Sequence, residues 1–228
     1  MSVAALLAGF AALPPPAGSL AAWAARVGTP AGDFPLIGAG TRAETYVALH
    51  WNGERCASLG PAVGPTLVGL AVGAAHGRSV AELAAAVDAG LAAAAGLSAP
   101  TVPVSTGVLT ATVCAARLAG VPEGELPALL DLAASLMLIG PPGVAPGHDP
   151  AAAWLAVRAW DAGITGMPGG LAHTLAVVAD GLPDRSGAVA APAAPPPQRV
   201  AATPVRAEQA PAPVRAGLAV ADLVEALP

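Results

Sequence analysis

The feature that most constrains this chain is a succession of small-residue apolar segments, each opened by proline, serine or threonine or closed by glycine, running from Thr66 past Gly163. "TLVGLAVGAAHG" follows Pro65 and stops at Gly77 with apolar residues all round, which predicts a buried helix. "SVAELAAAVDAGLAAAAG" comes next, with Ser79 and Glu82 at the S-x-x-E spacing of a capping box and Gly96 as its stop. Leu83, Val87 and Leu91 recur every four residues and line its inner face, leaving Glu82 and Asp88 nearer solvent. "STGVLTATVCAARLAG" starts at Ser105 or Thr106 and ends at Gly120. Pro122 opens the next helix, with Glu123 and Glu125 at the positive end of its dipole and Gly140 as its end. "DPAAAWLAVRAWDAG" takes Asp149 as N-cap, Pro150 as first helical residue and Gly163 as stop, and "MPGGLAHTLAVVADG" completes the series. Short connections between such helices make antiparallel pairs, so the fold class is an all-α, Ala-rich helical bundle.

The rest of the composition agrees. Hydrophobic residues make up 55% of the 228 while aromatics contribute 3%, so the apolar surface is mainly small side chains that allow close helix packing. The helical domain is expected over residues 1–183. From Asp184 the chain turns Pro- and Ala-rich, and residues 184–214 read as a linker that cannot bury enough surface to fold. Residues 215–228 read as a short amphipathic helix with Leu218, Ala221, Leu223 and Leu227 near one face, able to dock on a partner or fold back on the body.

Several classes of function are excluded. All ten basic residues are arginine, so no Schiff-base lysine and no GxxxxGK phosphate loop exists. A net charge of −5 with scattered arginines leaves no basic stripe for nucleic acid. Two long uncharged stretches, Ala89 to Ala116 and Cys56 to Ala75, are broken by glycine and proline, which argues against a membrane span. The apolar N-terminus lacks a positively charged start, so a cytoplasmic location is expected rather than secretion. Cys56 and Cys114 lack metal-ligand spacing and are expected to be buried thiols, with no metal bound. Gly38-x-Gly40-x-x-Ala43 imitates a dinucleotide turn, but Pro35 interrupts the only preceding strand candidate, and no cofactor is expected.

Asn52-Gly53, Gly60 to Leu70, Gly77 to Gly90, Thr106 to Leu118, Leu126 to Ser135 and Ala153 to Gly166, taken in order, resemble the helical domain of the MmgE/PrpD family, which includes 2-methylcitrate dehydratase and cis-aconitate decarboxylase. The resemblance covers roughly residues 43–182 and implies loss of water or carbon dioxide from carboxylic acids, in a protein that pairs as a homodimer or with a complete family member. It also implies a second, α/β domain, where this chain has the Pro/Ala-rich stretch. The family's aspartate-rich segment after the Asn-Gly turn is replaced by "ERCASL". Its two histidines correspond to Gly60 and a position near Val104. The expectation is therefore a reduced member, a pseudoenzyme or accessory subunit of a lyase. The alternatives are an active dehydratase, decarboxylase or isomerase with relocated residues, and a structural helical module.

The candidate residues cluster around "HWNGERCASLGPAVGP", read as a shortened loop. His50 is the candidate general base, since imidazole titrates near neutrality, or else it caps the carbonyls of "ETYVALH". Arg42 and Arg55 are candidates to clamp a small carboxylic acid, or else solvated surface residues. Asn52 and Thr106 are binding candidates through the resemblance. His76 and His173 read as core or cap residues, His148 as a loop residue, and Trp154 and Trp160 as packing.

Overall fold

The computed structural model describes residues 2–96, 106–138 and 145–179, and the expected linker 184–214 and terminal segment 215–228 lie outside them. The described residues form a mostly helical bundle with one small two-stranded sheet. Helix α1 (Val3–Ala12) is capped by Ser2, whose Oγ accepts the Ala5 N–H at 3.2 Å, and it buries Val3, Leu6, Leu7 and Phe10 at helical spacing. Helix α2 (Gly18–Val27) follows a run of prolines.

Strands β1 (Phe34–Leu36) and β2 (Thr41–Ala43) then pair antiparallel with Leu36 opposite Thr41. This hairpin was not expected, because Pro35 speaks against a strand. In a two-stranded sheet each strand has a free edge, and a proline there costs no ladder bond. Gly38 and Gly40, both at positive φ, belong to the hairpin's turn, so the apparent dinucleotide motif is turn chemistry.

Helices α3 (Thr45–Cys56), α4 (Val63–Ala75), α5 (Val80–Gly96), α6 (Gly107–Ala119), α7 (Leu126–Ala134), α8 (His148–Asp161) and α9 (Gly170–Ala179) complete the order. α6 is the centre and packs against α4, α5, α7 and α8. It is buried from Val108 through Ala116, so Thr112 has no water to bond and donates its hydroxyl to the Val108 carbonyl at 2.7 Å. Leu67, Leu70, Leu83, Leu118, Leu129 and Ala153 fill the core around it.

The expected capping box is present: the Ser79 N–H donates to Glu82 Oε2 at 2.8 Å and the Glu82 N–H to Ser79 Oγ at 3.2 Å. Leu83 and Val87 are buried while Glu82 and Asp88 are exposed. Helix starts differ from the expectation more than stops do. α4 begins at Val63 and α8 at His148, so Pro65, Asp149 and Pro150 fall inside first turns, where a missing N–H is tolerated. α7 is preceded by a 3₁₀ turn at Glu123–Glu125 and ends at Ala134, six residues before Gly140, which lies outside the described residues. Among the described residues no helix is long and apolar enough to cross a membrane.

Candidate functional site

The largest correction concerns residues 50–65. The segment is not a loop: α3 runs through His50, Asn52 and Gly53 to Cys56, a 3₁₀ turn covers Ala57–Leu59, and the connection to α4 is only Gly60 to Ala62. Asn52-Gly53 is therefore helical rather than a turn. Gly53 is there for close approach, since a Cβ on it would stand 2.6 Å from the Pro146 carbonyl oxygen and from Gly147 Cα.

Three of the candidate ligand-binding side chains are committed to the backbone. Asn52 is fully buried; its Oδ1 accepts the Ile37 N–H at 2.8 Å and its Nδ2 donates to the Pro35 carbonyl at 2.9 Å. Arg42 is not a solvated surface residue. It is 6% exposed, and its Nε and Nη2 donate to the carbonyls of Gly32 and Asp33 at 2.7 and 2.6 Å. Arg55 is half-buried, and its Nη2 donates to the Pro14 carbonyl. Asn52 and Arg55 tie the hairpin and the segment at Pro14 onto α3, while Arg42 fastens the residues before β1 to β2.

His50 does not end its helix, so it caps no terminal carbonyls. Its half-buried ring meets the Trp23 ring edge-on at 5.6 Å between centroids. Burial holds the imidazole below its ordinary pKa; Glu54 on the next turn opposes this shift and His148 adds to it. Glu54 Oε1 accepts the Gly147 N–H at 3.1 Å, which fastens α3 to the start of α8. His148 is the first residue of α8 rather than a loop residue, and its Nε2 lies 2.7 Å from the Leu136 carbonyl, which requires that nitrogen to carry the proton.

Both thiols are buried and free, and burial pushes each up to about 12, so neither supplies a thiolate near neutral pH. Cys114 Sγ also sits 3.2 Å from the Pro65 carbonyl. His76 and His173 are exposed, which rules out a core position for either, and His76 is the C-cap of α4. Trp154 and Trp160 pack partly buried against the core. Among the described residues no group of three His, Cys, Asp or Glu side chains is placed to hold a metal ion.

A space of about 430 Å³ opens where α4, α6 and α8 begin, lined by Gly60, Pro61, Pro65, Thr106, Thr110 and Asp149 among others. The starts of three helices bring positive dipole ends together, and Asp149 answers them: its carboxylate lies so close to Gly107, the first residue of α6, that a Cβ there would overlap it. Among the described residues of the lining, Asp149 is the one titratable side chain. Thr110 turns its hydroxyl back to the Thr106 carbonyl at 3.1 Å. Of the residues singled out as site candidates from sequence, Thr106 alone lines this cleft; His50, Arg42, Asn52 and Arg55 do not. Sequence reasoning treated Asp149 only as a helix cap. The sole signal for more was its place beside Pro150 at a helix start, which the cap reading already absorbed. No family model matches the chain, and no curated protein and no solved structure matches it.

Proposed function

We propose that the chain is a reduced MmgE/PrpD-like helical protein, a non-catalytic or accessory subunit of a lyase that acts on carboxylic acids. The observation that carries this reading is the chemistry of the cleft lining. Gly60 and Thr106 line one space, and the resemblance sets the family's two histidines at Gly60 and near Val104, the latter outside the described residues. Among the described residues the lining has mostly apolar side chains, the hydroxyls of Thr106 and Thr110 and one aspartate, where acid–base chemistry on a di- or tricarboxylate needs a base and cationic donors. The arginines best suited to clamp one are bonded to backbone carbonyls elsewhere.

The test is an assay of the purified chain with citrate-type acids, alone and with a complete MmgE/PrpD protein. The expected result is no turnover by the chain alone, together with co-purification and a changed rate for the pair. Turnover by the isolated chain that disappears in His50→Ala overturns this reading in favour of an active lyase with His50 as base. Failure to associate with any complete family protein removes the accessory role and leaves a structural helical module.

A further inference from the structure

Leu155 on α8, and Ile164 and Met167 beyond it, are 45, 54 and 63% exposed. All three lie on α8 or within six residues of its end. The Ile164 N–H bonds the Ala159 carbonyl at 2.9 Å and folds Ile164 back onto the end of α8, one turn past Leu155. The segment that carries Ile164 and Met167 is pinned from below. Gly166 sits against the backbone of Asp131 and Leu132 on α7, and Asp131 accepts the N–H groups of Gly169 and Leu171 at 2.8 and 3.0 Å. Large apolar side chains are thus held toward solvent by a fixed backbone. Arg158, 5.8 Å over the Trp154 ring and paired with Asp161 at 3.5 Å, lies one turn beyond Leu155 on α8.

The chain carries a segment of matching chemistry. Val220, Leu223, Val224 and Leu227 recur at i, i+3, i+4 and i+7, one stripe at helical period, with Asp222 and Glu225 on the other side. This stripe replaces the Leu218–Ala221 grouping, because at about 100° per residue Leu218 falls nearly opposite Val220. α9 starts three residues after Met167 and its ten residues rise about 15 Å, so the chain leaves α9 within roughly 25 Å of the exposed face. About 35 residues separate α9 from residues 215–228, and a chain of that length spans on average roughly 30–35 Å by square-root scaling, somewhat more with prolines. A tether whose span approximates the gap holds its end at an effective concentration of order millimolar, which a second copy at micromolar concentration cannot rival.

We infer that residues 215–228 dock in cis on the face formed by Leu155, Ile164 and Met167, through the stripe Val220, Leu223, Val224 and Leu227. The chain has three isoleucines and three methionines, so the methyl resonances of Ile164 and Met167 are readily assigned probes. Both methyl signals are compared between the full chain and its Leu223→Asp/Leu227→Asp variant, whose substitutions lie outside the helical body. The expected result is that both signals shift between the two proteins, at monomer mass, and that their positions in the full chain do not change over a hundredfold dilution. Identical methyl positions in the two proteins overturn the inference. A difference that fades on dilution, with a dimer's mass at the concentrated end, also overturns it and assigns the face to a second copy of the chain.

Discussion

The hairpin with α3 and the bundle of α4, α5, α6 and α8 are held together by opposite means. In the first, polar side chains reach across to backbone groups: Asn52 to Ile37 and Pro35, Arg42 to Gly32 and Asp33, and Trp51 Nε1 to the Leu20 carbonyl at 3.1 Å. In the second, backbones approach each other over glycine and alanine, with Ala111, Ala115, Ala151 and Ala153 fully buried. Two strands of three residues cannot stabilise themselves, so scarce polar groups are used to fasten them. The lesson is that a rare polar residue in an apolar chain marks a backbone group needing a partner before it marks a reaction.

The largest break in this comparison is Asn52→Leu, which keeps the number of side-chain heavy atoms and removes both bonds. The Ile37 N–H and the Pro35 carbonyl are then left unpaired in a buried position, each at a cost of about 1–3 kcal/mol. A total loss of about 3 kcal/mol is expected in the urea unfolding free energy. A loss below ~1 kcal/mol would show that the hairpin is held by other contacts.

The next break targets the bundle. Gly90 on α5 faces the Thr110 carbonyl of α6 so closely that an added Cβ collides with backbone, whereas a Cβ on Gly64 would find Pro150 Cδ at an ordinary 3.7 Å. Gly90→Ala is expected to destabilise by about 1–2 kcal/mol, overpacking outweighing the helix-propensity gain of nearly 1 kcal/mol. Gly64→Ala is expected to be neutral or slightly stabilising. Thermal unfolding of the pair reads the opposite signs, and equal effects would remove the close-approach account of α5 against α6.

What was legible in the sequence follows the same division. The stops at Gly77, Gly120 and Gly163 and the Ser79–Glu82 box are encoded within a few residues of the feature they control, and each is where the spacing puts it. The partners of Asn52, Arg42 and Arg55 lie 9 to 41 positions away and are backbone groups without side-chain identity, so no pattern announces them. Asn52-Gly53 has turn chemistry locally, yet its asparagine is needed by the hairpin and its glycine by Gly147, and tertiary demand overrides propensity. Thr106 was found through helix order, whereas Asp149 was placed correctly near a helix start without its cleft being visible, because the cleft exists only once three distant starts converge.

The smallest expected effect is a pH dependence confined to the α3 side. Burial lowers the folded-state pKa of His50 below its ordinary 6.5, so the unfolded chain binds that proton more readily. Its contribution to stability is therefore complete above pH 6.5 and is lost as pH falls through the lowered folded value. In the bundle, Cys114 titrates near 12 and adds no slope in the range where histidine does. Urea midpoints measured across pH 5–8 for the parent chain and His50→Gln read the effect of His50 together with its coupling to Glu54 and His148. The parent is expected to lose more stability than the variant on acidification. Parallel curves would mean that the ring against Trp23 is as well solvated folded as unfolded, and the α3 side would then be held by its backbone-directed bonds alone.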